Sequence, residues 1–251
     1  MLAEERLSRI MKLLSQQRTA TVQELCEALD ASESTIRRDL NELDRMGKVN
    51  KVHGGATLPD SQFLADEPTM AAKEALAVVQ KKCIAKAAAA LITAEDFVFL
   101  DAGSTTLALA AALEGPALQA AYVTNGIAHA RMLVQKGCRT YLPGGQVRPI
   151  TEAITGPETL AALQHYNFTK AFMGANGVSP AEGFTTPDPE EASIKPAALQ
   201  RARERWFLVD NTKFDMVYSA VIGDIGCGAI LTNHCPDPRY AQLTFVKECS
   251  V

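Results

Sequence analysis

Apolar residues recur at helical spacing twice near the start of the chain. Leu7, Ile10, Met11 and Leu14 fall at i, i+3, i+4 and i+7, and Val22, Leu25, Cys26 and Leu29 repeat that interval after a break at Arg18-Thr19-Ala20. Each stretch predicts a short amphipathic helix. Thr21-x-x-Glu24 at the head of the second is a capping-box pattern, in which hydroxyl and carboxylate each accept from an otherwise orphan backbone N–H. A third helix is predicted after Asp30-Ala31, with Ser32 as its N-cap and Gly47 where it stops. On its wheel Ile36, Leu40 and Leu43 share one face, while Ser34, Arg38, Asn41 and Arg45 lie opposite with Arg37 on the flank. Val49 and Val52, followed by Gly54-Gly55, predict a short β-ribbon or wing bearing Lys48 and Lys51.

From Thr57 to about Ala72 apolar periodicity lapses, and Pro59, Asp60, Ser61, Asp66, Glu67 and Pro68 suit a linker. Thereafter short apolar runs alternate with helical stretches. A helix is predicted from Lys81 to Ile92, a strand at Phe97–Leu100, a polar turn at Asp101–Thr106 and a helix from Leu107 to Leu113. Ala121–Asn125 precedes a helix from Ile127 to Gln135, Arg139–Leu142 precedes Gly144-Gly145, and Ala171–Met173 precedes Gly174-Ala175-Asn176-Gly177. A further strand, Phe207–Asp210, leads to Lys213. Strand alternating with helix predicts an α/β body around a mostly parallel sheet. The expected organisation is a helical head at 1–56, a linker at 57–72 and the body at 73–251.

A chain of 251 residues, 47% hydrophobic and 22% charged, can bury a sizeable core, which excludes a disordered tail or a fibrous repeat. Its formal net charge of −4 advertises no nucleic-acid partner and by itself suits a cytosolic enzyme. The distribution of charge changes that picture. Residues 1–56 balance at nine basic and nine acidic side chains, so the acidity belongs to the rest; within 34–53, Arg37, Arg38, Arg45, Lys48 and Lys51 outnumber Asp39, Glu42 and Asp44. Cys26, Cys83, Cys138, Cys227, Cys235 and Cys249 show neither C-x-x-C nor zinc-ligand spacing and are expected to be free thiols. Met-Leu-Ala-Glu-Glu-Arg lacks the order of a signal peptide, and no apolar run approaches the roughly 18 residues of a membrane span. The expectation is a soluble, cytoplasmic protein without metal or cofactor.

Three short helices and a wing make the outline of a winged helix-turn-helix. Arginine pairs bidentately with guanine and asparagine with adenine, while hydroxyls and lysines suit phosphate. Ser34, Thr35, Arg37, Arg38, Asn41, Arg45, Lys48, Lys51 and His53 are therefore the candidate DNA contacts. A solvated face of Arg/Asp/Glu pairs is the plainer account of the helix, and packing or a hinge that of His53.

In parallel α/β sheets ligands sit beyond the carboxyl ends of the strands. Gly103, Ser104, Thr105 and Thr106 offer amides, hydroxyls and a helix N-terminus to an anion, though a capped βα turn explains the same residues. Asp101, Thr124, Asn125, Gly144, Gly145, Asn176 and Asp210 gather at other strand ends, and Glu191, Lys195 and Lys213 could complete a pocket. Glu191 and Lys195, four residues apart on a predicted helix, also suit an exposed ion pair.

Ser32-Glu33-Ser34-Thr35-Ile36-Arg37-Arg38-Asp39-Leu40, followed by His53-Gly54-Gly55-Ala56, closely resembles the N-terminal signature of the DeoR family of bacterial transcriptional regulators. Lys51 stands where many members carry arginine, so the resemblance implies that phosphate contact survives there as a point charge, without arginine's bidentate pairing. Asp101–Thr106, Val123-Thr124-Asn125, Gly144-Gly145, Glu191-Ala192-x-x-Lys195 and Asp210-x-x-Lys213 resemble the family's effector domain, in order. Pro196 after Lys195 departs from the pattern but is expected early in its helix, where proline is tolerated. The resemblance implies a sheet like that of ribose-phosphate isomerases and coenzyme A transferases, binding a sugar phosphate. Thr124-Asn125-Gly126, Thr151-Glu152-Ala153-Ile154, Phe168-Thr169-Lys170 and Gly183–Asp188 look most like fructose operon repressors, which implies fructose 1-phosphate as effector.

The implied protein is a repressor, a dimer or tetramer on a palindromic operator, relieved by the sugar phosphate. The alternative is a sugar-phosphate isomerase or transferase with an appended head. Asp101, Glu152, Glu191 or Asp210 would be its base, and Lys195 or Lys213 would stabilise the enediolate. A catalyst has no use for a helix-turn-helix and wing, so a non-enzymatic regulator is the reading adopted.

Overall fold

The structure, a computed structural model, describes residues 3–17, 19–52, 54–57 and 69–249. The chain forms two compact units, Met1–Gln62 and Phe63–Val251.

In the first unit, α1 (Ala3–Gln17), β1 (Thr19–Thr21), α2 (Val22–Leu29), α3 (Glu33–Arg45), β2 (Asn50–Val52) and β3 (Gly55–Thr57) follow in order. Thr21 and Glu24 make both bonds of the expected capping box at the start of α2. Ser32 Oγ accepts from the Thr35 amide at the start of α3. Ile10, Leu14, Leu25, Ile36, Leu40 and Leu43 are buried together, so the three helical stripes meet in one core. Removing such side chains from water supplies about 1.5–3 kcal/mol each, which short helices need because they are marginal alone. β1 was not foreseen. It pairs antiparallel with β3, which pairs with β2, giving the order β1-β3-β2. A Cβ on Gly55 would stand 2.3 Å from the Ala20 carbonyl oxygen, so the close approach of β1 and β3 requires glycine there.

Thr57 closes β3 and Met70 opens a helix, so both ends of the expected linker carry regular structure. The rest of that segment, 58–68, lies outside the described residues.

The second unit runs α4 (Met70–Ala75), α5 (Val78–Ala89), β4 (Phe97–Leu100), α6 (Ser104–Ala112), β5 (Ala121–Thr124), α7 (Ile127–Gln135), β6 (Arg139–Tyr141), β7 (Gln146–Val147), β8 (Ile154–Thr155), α8 (Pro157–Leu163) and β9 (Phe168–Gly174). It continues through β10 (Gly177–Ser179), β11 (Gly183–Thr186), α9 (Pro189–Gln200), β12 (Ala202–Leu208), β13 (Ala220–Gly223), β14 (Ala229–Thr232), α10 (Arg239–Leu243) and β15 (Val246–Glu248). Seven strands form a sheet of order β15-β14-β12-β9-β4-β5-β6, every adjacent pair parallel. Side chains alternate across it. Val98, Leu100, Trp206 and Leu208 join one cluster with residues of α5, α6 and α7, while Phe99, Phe207 and Val209 join another with residues of α8 and α9. A sheet covered on both faces explains the continuous apolar runs. β10, β11 and β13 make a small antiparallel sheet whose Val178, Phe184 and Ile222 belong to the second cluster.

Three expectations are corrected. The helix expected from Leu107 begins at Ser104, because Gly103 occupies the N-cap. Pro196 lies inside α9, not early in it, since the helix already starts at Pro189. The thiols are not all free: Cys83 on α5 and Cys249 after β15 are joined in a disulfide, with Cα atoms 6.2 Å apart. These residues stand 166 positions apart, and it is the packing of α5 on the sheet that brings them together. Cys26, Cys138, Cys227 and Cys235 are free.

Maleimide labelling of the denatured, unreduced chain should therefore modify four cysteines, and six after reduction, read as mass increments. Six labels without reduction would contradict the pairing.

Candidate functional site

On α3, the exposed face carries Ser34, Arg37, Arg38, Asn41 and Arg45, with Thr35 half-buried at its edge. Thr35 and Ser34 hydroxyls lie 2.8 and 3.0 Å from Ser32 Oγ. Arg37 pairs with Glu33 one turn back at 2.6 Å, in water, where such a pair is worth about 0.3–0.5 kcal/mol and is readily exchanged. Asp39 is not part of that face. It is buried and held by Arg6 of α1, whose Nη2 donates at 3.0 Å. Arg38 and Arg45 carry no ion pair among the described residues. The wing is tied to the helix: Lys51 Nζ donates to Asn41 Oδ1 at 2.7 Å and the Lys51 amide to Asp44 Oδ1 at 2.9 Å. Lys48 is half-buried, and His53 lies outside the described residues.

In the second unit, parallel strands put their carboxyl ends on one edge, where Asp101, Asn125 and Asp210 are each nearly inaccessible. Lys195 donates to Asp101 Oδ2, which also accepts from the Gly174 amide at 2.9 Å. One carboxylate thus joins β4, β9 and α9. Both side chains are buried, and breaking such a pair typically costs about 3–5 kcal/mol because the survivor is left charged and unpaired.

The turn after β4 is braced from within. Thr106 Oγ1 donates to the Asp101 carbonyl at 2.6 Å and accepts from the Gly103 amide at 3.0 Å. Asn125 Oδ1 accepts from the Ala102 amide at 3.1 Å, and its Nδ2 donates to the Ile154 carbonyl at 3.2 Å. Thr124 Oγ1 accepts from the Gly126 amide at 3.1 Å. These groups hold the frame. Gly103 and Ser104 stand half-buried at the N-terminus of α6, with helix amides facing the edge, and Thr105 is buried beside them.

Glu191 and Lys195 do not pair with each other. Glu191 Oε1 accepts from Arg148 Nη1 at 2.8 Å and from Thr151 Oγ1 at 2.5 Å, and Arg148 Nη2 also meets Asp188 at 2.8 Å. Asp210 caps the turn that follows it, accepting from Thr212 N at 3.0 Å, and Lys213 N donates to the Asp210 carbonyl. Gly144 accepts at its carbonyl from Thr159 Oγ1, and Gly145 packs against Thr155 and Thr159. Asn176 bonds Thr185 and Thr186 at the small sheet. Thus Asp101, Gly103, Thr106, Asn125 and Lys195 are drawn into one network, whereas the contacts described for Gly144, Gly145 and Asn176 lie outside it.

Three residues escaped the sequence reading. Lys81 is buried in α5, donates to the Lys73 carbonyl and lies in the field of Asp210 and Lys213; burial pushes its ammonium down to about 8, with Asp210 opposing and Lys213 and Lys73 reinforcing the shift. Arg148 follows β7, in a stretch without periodicity. His129 on α7 is buried, with Nε2 3.1 Å from Thr106 Oγ1 and 2.9 Å from the Gly103 carbonyl, and with Nδ1 unpartnered among the described residues. A Cβ on Gly126 would lie 2.3 Å from that Nδ1, which gives the glycine of Thr124-Asn125-Gly126 its reason. Burial brings the His129 imidazole down to about 4, Lys195 adding to the effect while the Gly103 carbonyl and Asp101 oppose it.

A helix-turn-helix head with an exposed arginine face, on one chain with an α/β unit whose strand ends hold a braced polar edge, defines a DNA-binding regulator that carries a sensor domain. Residues 6–62 match the DeoR-like helix-turn-helix domain, and residues 77–232 match the DeoR C terminal sensor domain. A transcriptional regulator of Bacillus subtilis (strain 168), FruR, is 38% identical, with 98% of each chain covered. The lactose phosphotransferase system repressor of Streptococcus mutans is 36% identical over 84% of this chain and 83% of its own. The chain belongs to the DeoR family and is a transcriptional regulator, not an enzyme. Among solved structures, ribose 5-phosphate isomerase A of Methanocaldococcus jannaschii aligns at TM-score 0.39 and 16% identity over 53% of each chain. The full-length sorbitol operon regulator SorC of Klebsiella pneumoniae aligns at 0.39 and 12%, over 82% of this chain and 89% of its own.

The His129 shift has a sign. Its folded pKa lies below the ordinary 6.5, so between about 4 and 6.5 the unfolded chain holds the extra proton, and stability is lost as pH falls through that window. From pH 7 to 5 the wild type should lose on the order of 2 kcal/mol more than His129→Gln, measured by urea unfolding. Parallel losses would remove His129 as the cause.

Proposed function

We propose that this protein represses a sugar-utilisation operon from the cytoplasm, and that a phosphorylated sugar, fructose 1-phosphate first among the candidates, releases it from its operator. The names of its relatives, the transcriptional regulator FruR and a lactose phosphotransferase system repressor, support this reading. The observation that carries it is the half-buried N-terminus of α6 at Gly103 and Ser104, close to the buried Lys195–Asp101 pair. Helix amides and an adjacent cation suit a phosphate or a sugar hydroxyl, and the hydroxyls already spent on the frame hold those amides in place.

In this reading 1–56 is the DNA-binding domain, 57–72 the connection and 73–251 the effector domain. Arg38, Arg45 and Asn41 read base edges, and Ser34, Thr35, Arg37, Lys48, Lys51 and His53 contact phosphates. Ser104, Thr105 and the Gly103 turn take the effector's phosphate. Asp101, Glu191, Lys195, Asp210 and Lys213 meet its hydroxyls, with Lys81 adding positive charge, and Thr106, Thr124, Asn125, Gly144, Gly145 and Asn176 shape the surround. The active form is a homo-oligomer, dimer or tetramer, on a palindromic site, where paired α3 helices enter successive major grooves.

Fluorescence anisotropy on an operator selected from a randomised duplex pool tests both halves. Arg38→Ala should weaken operator binding about 5–100-fold at matched salt and leave effector binding intact. Ser104→Glu, which sets a negative charge where the phosphate would sit and is tolerated by the helix dipole, should keep operator affinity and weaken the sugar phosphate at least about tenfold. An operator indifferent to fructose 1-phosphate and to a panel of other sugar phosphates would overturn the inducer model.

A further inference from the structure

The motif Thr151-Glu152-Ala153-Ile154 stands apart from the strand-end turns, yet its loop touches two parts of the candidate site, Glu191 and the turn after β5. Residues 148–153 close on themselves, the Arg148 amide donating to the Ala153 carbonyl at 2.8 Å and the Glu152 amide to the Arg148 carbonyl at 2.9 Å. Two bonds run from the loop to Glu191, from Arg148 and from Thr151. Others run to the turn after β5: the Ile154 amide donates to the Asn125 carbonyl at 2.7 Å, and the Ile127 amide to the Glu152 carbonyl at 3.2 Å. Glu152 adopts φ +53°, a left-handed conformation that a non-glycine residue holds only while its neighbours enforce it. The loop is therefore set by the same groups that border the effector site.

A further bond of the loop points elsewhere. The Ile150 carbonyl accepts from the Met70 amide at 3.1 Å, and Met70 is the first residue of α4, capped by Thr69. Among the described residues α4 is the first helix after the wing, and it is covalently continuous with the head through residues 58–68. A sugar hydroxyl or phosphate that engages Glu191 or Arg148 exchanges the partners that hold the loop, and so changes what the Ile150 carbonyl offers to α4.

We propose that the bond from the Met70 amide to the Ile150 carbonyl is the joint through which occupancy of the sensor site reaches the DNA-binding head. Loop 148–153 senses the effector through Glu191 and the Asn125 turn, and α4 carries the result toward the chain that enters the head. The inference rests on the repressor and sugar-phosphate reading above.

Proline separates the bond from everything else at this position. Met70 is the N1 residue of α4, where proline fits a helix, and Thr69 has the extended backbone, φ −57° and ψ 159°, that a following proline demands. Met70→Pro removes the amide hydrogen and the buried side chain; Met70→Ala removes the side chain and keeps the hydrogen. In the full chain, operator anisotropy is measured with and without saturating fructose 1-phosphate, and thermal shift reports effector binding separately. Wild type and Met70→Ala should lose operator affinity by the same factor, about 5–150-fold for a typical coupling. Met70→Pro should keep the thermal shift and the effector-free operator affinity while its response to the effector drops below about threefold. Thr151→Val, which removes one loop bond to Glu191, gives a second route to the same weakened response.

Met70→Pro that responds like Met70→Ala overturns the joint, as does equal loss in both, since the side chain would then be responsible. A wild type indifferent to the whole sugar-phosphate panel overturns the functional reading, and this inference with it. A responsive wild type with a responsive Met70→Pro leaves that reading standing and overturns the joint alone.

Discussion

A lysine ammonium in a dry interior needs polar partners within hydrogen-bond reach, and Lys195, buried against Asp101, therefore fixes where three elements of the second unit meet. Asp101 sits one residue past β4, the Gly174 amide that shares its oxygen closes β9, and α9 must approach that point for Lys195 to pair. With α9 so placed, Glu191 one turn earlier falls against Arg148 and Thr151. The Pro196 that interrupts the backbone bonding of α9 stands next to the one side chain most in need of a fixed partner.

The polar edge that results contains two kinds of group. Thr106, Thr124 and Asn125 spend their side chains on backbone partners a few residues or one strand away, and His129 closes the same frame from α7. Ser104 opens a helix whose first amides stand at the edge, where Gly103, its own amide spent on Thr106, holds them in position. The head divides its charges in the same way. Arg6 and Asp39 hold α1 to α3, while Arg38 and Arg45 stay exposed. Buried, paired charges fix geometry in both units, and exposed ones are left to meet a partner.

Most of the element order was legible because it follows from local periodicity. The three helices of the head, the strands at Phe97 and Ala121 and the helix at Ile127 all lie where alternation and helical spacing put them. The strand at Thr19 was not legible, since three residues carry no period and β1 exists by pairing with β3 more than thirty positions later. The start of α6 was placed three residues late because Ser104, Thr105 and Thr106 look like a turn until Gly103 is seen to cap them. Glu191 and Lys195 suited an ion pair by spacing, yet each found a stronger partner across the fold. Lys81, His129 and Arg148 gave no local signal, being an unremarkable helical lysine, a lone histidine on a helix and an arginine in an irregular stretch.

The sequence by itself determined the two units, the alternation that makes a parallel sheet, the exposed arginine face of α3 and the family to which they belong. These follow from spacing along the chain, because helix and strand periods are set by the backbone. Tertiary structure decided which charged groups became neighbours. It paired Lys195 with Asp101, Asp39 with Arg6 and Cys83 with Cys249, and it brought the Ile150 carbonyl to the Met70 amide. Desolvation makes such pairings obligatory once groups are buried, but which partner lies within reach depends on how elements far apart in sequence pack.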